Sequence, residues 1–304
     1  MIKLNIQNET SKLKAVLLGT AKSNGGIPSI KEAYDPKSVE HIVAGTYPKE
    51  EDMVFEMDCF EKVLKKHDVK VYRPEVIENY NQIFARDIAF VIEDNLFISN
   101  ILPNREKEIE AIETILSTIQ PSKIIKTDSA IHFEGGDVML WNDHIFIGTY
   151  KGNDYEKLIT ARTNMKGVQF LKEFFPTKIV KEFDLVKSNT IARENALHLD
   201  CCFQPVGKDK GIIYKGGFKD ENDYNYLVDV FGIDNLFQID QNEMYEMNSN
   251  VFSISEKVVV SEKNFKRLNN WLREQHFIVE EIPYAEISKQ EGLLRCSTMP
   301  LIRE

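Results

Sequence analysis

Many of the usual landmarks are missing from this sequence. Cysteine occurs only at Cys59, Cys201, Cys202 and Cys296 in a chain of 304 residues. Two of these are adjacent, and no CxxC or zinc-ligand spacing exists. Neither a disulfide framework nor a metal site is expected, and the reading is a reduced, cytoplasmic protein with free thiols. No apolar run approaches the length of a membrane span, and Met1–Asn5 lacks the apolar segment of an export signal. Basic charge is in deficit: 38 Lys and Arg against 48 Asp and Glu leave a formal charge of −10. That balance argues against nucleic acid, which selects a basic face. No Pro-rich or Gly/Ser-rich linker divides the chain, and no low-complexity tract occurs. What remains, 42% hydrophobic and 28% charged residues, belongs to a globular protein with a large core.

Length alone suggests roughly two domains. The pattern suggests one domain, 1–304, built of repeats. Residues 88–92 are a β-like apolar run, 93–95 a turn and 96–98 a second run. Apolar residues at Ile109, Ile112, Leu116 and Ile119 then predict a helix over 105–119, and 123–126 a further strand. The order strand, turn, strand, helix, strand returns from Val138, Cys201 and Val251. A fifth copy is split. It has strand 13–18, helix 51–67 and strand 69–72, and its missing strand is expected after Cys296. A small insertion interrupts the second copy near 150–160. Each hairpin follows a polar cluster: Asp87, Glu134–Asp137, His198–Asp200, Asn248–Asn250 and Cys296. A period of roughly 50 residues suggests a closed, propeller-like arrangement in which these clusters meet at the centre.

The clusters carry chemistry. Cys296 lies in a loop with Gly292, Arg295 and Pro300, of a kind that can expose a thiol and stabilise a thiolate. Cys59, on the apolar stripe of a helix with Phe55 and Val63, reads as a core residue, as do Cys201 and Cys202. On a strand, His198 and Asp200 project to one side, as an acid/base pair would. His132 carries some weight because it precedes Phe133-Glu-Gly-Gly-Asp137. The two glycines allow close backbone approach or positive φ. Paired carboxylates beside a Cys nucleophile suit a planar cation, since each can grip a guanidinium in fork geometry.

Four segments resemble the guanidino-group-modifying superfamily: Phe84-Ala-Arg-Asp87, Phe133–Asp137, His198-Leu-Asp200 and Arg295–Glu304. Its members include arginine deiminases, amidinotransferases and dimethylarginine hydrolases. The resemblance implies the pentein fold, a five-bladed pseudo-symmetric α/β propeller of ββαβ modules. It implies that Cys296 is the nucleophile, His198 the general acid/base and Glu134 the carboxylate working with it. Asp87 and Asp200 match the pair that holds the guanidinium, with Asp137 counted among the substrate-binding acids. Asn81 matches a substrate-tail contact, and Arg105 and Arg162 the arginines that bind an α-carboxylate.

The ending Cys-Ser-Thr-Met-Pro-Leu-Ile-Arg-Glu304 looks closest to arginine deiminases, and the second Asp of His-Leu-Asp200 is usually lacking in dimethylarginine hydrolases. The chain lacks the helical insertion typical of arginine deiminases, which also sets it near amidinotransferase-like and citrulline-hydrolysing relatives. The expectation is a Cys-dependent hydrolase converting free L-arginine to citrulline and ammonia, with no metal or organic cofactor. Alternatives are an amidinotransferase, a citrulline or dimethylarginine hydrolase, and a non-catalytic arginine-binding module. The expected partner is a small cationic or zwitterionic amino acid, with no nucleic acid or membrane. A homo-oligomer is the default for a soluble enzyme.

Overall fold

Fifteen strands pair into five separate three-stranded sheets in the computed structural model, which describes residues 1–304. In every sheet two strands are antiparallel and the third joins in parallel. Ala89–Ile92, Asn95–Ile98 and Ile124–Ile125 form one. Val138–Trp141, His144–Thr149 and Ile179–Asp184 form the next. Phe203–Val206, Lys210–Ile213 and Leu236–Gln238 follow, then Phe252–Ser255, Val258–Glu262 and Ile278–Ile282. A tight turn can reverse the chain within a hairpin, whereas the parallel strand needs a crossover segment. Helices such as Met165–Phe174, Glu221–Phe231 and Lys266–Glu274 supply it.

The fifth sheet joins the two ends of the chain. Leu13–Leu18 pairs in parallel with Lys70–Tyr72 and antiparallel with Thr298–Arg303. The strand expected after Cys296 is therefore present, and it closes the ring. The result is the arrangement of five α/β modules that the repeat predicts. No helix is long and apolar enough to cross a membrane.

Several elements differ from the sequence reading. The helix expected over 105–119 is broken into a 3₁₀ turn, Pro103–Arg105, and two single turns, Lys107–Glu110 and Glu113–Leu116. Ile109, Ile112, Thr114 and Ile115 are β-branched and restrict χ1 in a helix. Bonds of the i→i+3 type, Ile112 to Ile109 and Ile115 to Ile112, tighten the chain there. His198 and Asp200 do not lie on a strand; Leu199–Cys201 is a 3₁₀ turn and the strand starts at Phe203. Phe55, assigned to the apolar stripe of its helix, is exposed, because Glu50–Lys66 buries Met53, Met57, Phe60 and Leu64 instead. The helices Pro36–Val43 and Gln241–Tyr245 were not anticipated.

Phe60 anchors the first module edge-on against Phe252 and Tyr284, both with ring centroids 5.7 Å away. Phe90, Phe97 and Phe133 pack together in the next two modules, with Phe90 5.3 Å and 5.2 Å from its neighbours. Aromatic pairs at this spacing are each worth about 0.5–1.5 kcal/mol beyond their buried area. They fix the modules against one another, and so fix the segments that lead into each first strand.

Candidate active site

Those lead-in segments carry the polar clusters. Asp87 comes two residues before Ala89, and Glu134 precedes the 3₁₀ turn Gly135–Asp137. His198 and Asp200 flank the start of the turn before Phe203, Asn250 precedes Phe252, and Cys296 precedes Thr298. Backbone bonds tie the segments: Arg86 N–H donates to the Cys296 carbonyl at 3.0 Å.

His198 Nε2 lies 2.8 Å from Glu134 Oε2, and its Nδ1 lies 3.9 Å from Asp87 Oδ1. Cys296 Sγ lies 3.5 Å from Asp200 Oδ2. The Asn250 amide closes around the cysteine: Nδ2 donates to Sγ at 3.1 Å, and Oδ1 accepts from the Cys296 N–H at 3.1 Å. All of these groups are buried, Cys296 at 3% exposure and Asp200 at 0%. The loop therefore does not expose the thiol, as its composition suggested. Arg295 does not face the sulfur either; its Nη1 donates to Asp200 Oδ2 at 2.9 Å.

The glycines of Glu134-Gly-Gly-Asp137 serve close approach, not positive φ. A Cβ on Gly136 would stand 2.7 Å from His198 Cγ, and one on Gly135 would stand 2.3 Å from the Arg86 carbonyl oxygen. Both carboxylate oxygens of Asp137 are engaged within the fold. Its Oδ1 accepts from Leu199 N–H at 2.9 Å and its Oδ2 from Thr163 Oγ1 at 2.6 Å. These bonds tie it to the His198–Asp200 turn, whereas the sequence reading counts it among the substrate-binding acids.

Arg105 is held by Asp87 at 2.8 Å and by Glu108 at 2.6 Å. Arg162 lies 3.4 Å from Glu134 and donates to the Tyr34 carbonyl at 2.9 Å. The Tyr34 ring stands beside both guanidiniums, 5.3 Å from Arg105 and 5.7 Å from Arg162. Asn81 donates to Gln290 Oε1 at 2.7 Å. With Tyr34, Arg105, Glu108 and Gln290 it lines a cavity of about 320 Å³. His132 stays outside, its Nδ1 3.1 Å from the Asn100 carbonyl oxygen.

Charge shapes this site. Burial draws the His198 pKa down, but Asp87, Asp137 and Glu134 outweigh it and leave the pKa raised. Burial opposes ionisation of Glu134, yet Arg162, His198 and Arg105 hold its carboxyl down to about 2. Burial, Asp200 and Asp87 push the Cys296 thiol well up, against the bond from Asn250. Asp87 is raised by burial, and its Oδ1 has no hydrogen-bond partner. Asp87, Glu134 and His198 also each offer a ligand atom within 4.8 Å of the others. Three modules contribute them, so no local metal-ligand motif marks the trio, although the repeat period places their segments at one centre.

Residues 46–303 match the family described as N,N dimethylarginine dimethylhydrolase, eukaryotic. The chain belongs to this family. It is 29% identical over 244 residues to the uncharacterized protein YkgA of Bacillus subtilis, covering 80% of this chain and 77% of that one. Over 266 residues it is 26% identical to an arginine deiminase of Levilactobacillus brevis, covering 74% of this chain and 62% of the relative. The chain thus spans less than two thirds of that deiminase. The N-terminal domain of ArgZ, an arginine dihydrolase of cyanobacteria, superposes with a TM-score of 0.77 at 15% identity, over 95% of this chain and 98% of that one. The amidinotransferase SxtG of Microseira wollei superposes at 0.76 and 16% identity, over 99% and 98%. The fold is shared at these low identities. Family and fold together place the chain among the penteins, enzymes that modify guanidino groups.

Sequence reasoning missed Asn250 as the partner of the thiol, although its cluster was marked by its place in the repeat. It also missed Tyr34, Glu108 and Gln290, which no repeat position signals.

Proposed function

We propose that the protein hydrolyses free L-arginine to citrulline and ammonia through a covalent intermediate on Cys296. The observation carrying this reading is the orphan Asp87 Oδ1, a buried acceptor 3.9 Å from the acid/base His198. A buried acceptor without a donor is costly, and a guanidinium supplies donors in a planar fork. Asp200, beside Cys296 Sγ, grips the other edge. The arriving cation lowers the thiol pKa that burial has raised, so the substrate itself promotes thiolate formation.

The thiolate attacks the central guanidinium carbon. His198, whose pKa its neighbouring carboxylates raise, donates a proton to the leaving amine, and ammonia departs. The imidazole then takes a proton from water, which attacks the amidino–thioether and releases the ureido product. Arg105 and Arg162 are assigned to the α-carboxylate, and Asn81 to the aliphatic tail.

The family description favours a second reading, hydrolysis of dimethylarginine to citrulline and dimethylamine. Two methyl groups would remove N–H donors that Asp87 and Asp200 are placed to accept, so unmethylated arginine is preferred. Incubation with arginine, with dimethylarginine and with citrulline, followed by mass spectrometry, separates the readings. Citrulline and ammonia from arginine are expected. Ornithine with a newly amidinated amine would replace this reading by amidinotransfer, and arginine binding without product by a binding module. Cys296→Ala is expected to abolish ammonia release; retained turnover refutes the assignment.

A further inference from the structure

Beyond Arg295 lies a buried cluster of charges that the proposed reaction does not use. Glu9, Arg86, Arg295 and Arg303 are at most 6% exposed. Arg295 reaches two ways. Its Nη1 donates to Asp200, while its Nε and Nη2 each lie 3.2 Å from Glu9. Arg303 donates to the carbonyls of Ser11 at 2.6 Å and Ser253 at 2.8 Å, leaving its Nε without a partner. Arg86 is less well served. No protein acceptor lies within hydrogen-bond distance of its Nε or Nη2, although it is 95% buried (5% exposed).

The charges do not balance. Three guanidiniums, Arg86, Arg295 and Arg303, face two carboxylates, Glu9 and Asp200. One positive charge is in excess. Buried charges in native proteins are paired, and buried donors are satisfied. Loss of a proton does not remove the excess at neutral pH, since burial draws Arg86 down only to about 9 and Arg303 only to about 10.

We propose that Arg86, Arg303 and Arg295 form an internal site for one small monovalent inorganic anion of the size of chloride. Arg86 and Arg303 each retain a buried donor without a protein acceptor, and one anionic charge would cancel the excess. Arg295 separates the site from the reaction centre, so it is not a subsite for the substrate. Cancelling a positive charge near Asp200 also lowers KM for a cationic substrate. That consequence rests on the function proposed above, whereas the binding does not.

The test compares melting of the whole protein in sodium chloride, sodium bromide and sodium gluconate at equal ionic strength. Halides are expected to raise Tm saturably by roughly 2–4 °C over gluconate. Arg86→Met is expected to abolish the difference. Glu9→Gln, which removes a competing carboxylate, is expected to tighten halide binding roughly tenfold. Crystals grown in bromide should show anomalous scattering within hydrogen-bond distance of Arg86 Nη2. If Arg86→Met does not fold, Glu9→Gln and the bromide map decide. Equal melting in all three salts, or water alone beside Arg86, overturns the proposal. Neither readout depends on turnover, so an inactive protein that binds bromide refutes only the proposed function.

Discussion

Gly136 shows how little space the reaction centre leaves at single positions. A Cβ there would stand 2.7 Å from both Cγ and Nδ1 of His198. Either the ring moves away from Glu134 or the 3₁₀ turn shifts, and both disturb a 2.8 Å bond. Gly136→Ala is expected to lower kcat by about 10²-fold and stability by about 1–3 kcal/mol, measured by ammonia release and urea unfolding. The pH dependence follows from His198. Burial lowers its pKa, and Asp87, Asp137 and Glu134 raise it further than burial lowers it. In the proposed reaction the imidazolium is the acid, so activity is expected to persist below the raised pKa and to fall as pH rises through it. Glu134→Gln removes one raising charge. The alkaline limb of kcat/KM is therefore expected to move to lower pH, which a pH–rate profile of both proteins will show. Most of these residues were legible in the sequence because the reaction requires particular side chains. Asn250 and Arg295 were not assigned their roles, because a thiol's amide partner and a carboxylate's guanidinium partner follow from contacts.

Local sequence governs the elements where caps and periodicity agree. Asp240 and Glu243 form a capping box on Gln241–Tyr245, each side chain bonding the other's backbone N–H. Glu243 also pairs with Arg267 of the neighbouring helix. Asp240→Ala is expected to cost about 1 kcal/mol with little effect on turnover, as urea unfolding and steady-state rates will show. Where propensity and periodicity conflict, periodicity misleads. The 105–119 segment has helical spacing of apolar residues, but its β-branched run accompanies a break into single turns. That break matters to the site. Arg105 sits at the end of the Pro103–Arg105 turn, where it reaches both Asp87 and Glu108.

At the scale of the whole molecule, one strand closes the ring. Thr298–Arg303 pairs with Leu13–Leu18 and follows directly after Cys296. Deleting residues 298–304 leaves the Leu13–Leu18 edge without its antiparallel partner and Cys296 at a loose end. The truncated protein is expected to lose its cooperative thermal transition as well as its activity, readable by circular dichroism melting. The repeat, its period and the split fifth module could be read from the sequence, because each hairpin has its own alternating pattern and turn. The sequence thus determined the five modules, the fold class and the residue types at the head of each. Tertiary structure alone decided how those heads meet. It set His198 on Glu134 and Cys296 between Asn250 and Asp200, turned Asp137 inward onto Thr163 and Leu199, and gathered three arginines around Glu9. The scarce cysteines and the acidic surplus acquired meaning only there. Of the four thiols, Cys296 alone is held between Asn250 and Asp200, and a few of the 48 acids share one buried centre. The physical reason is that periodicity is local, whereas contacts between modules depend on burial, which no single segment encodes.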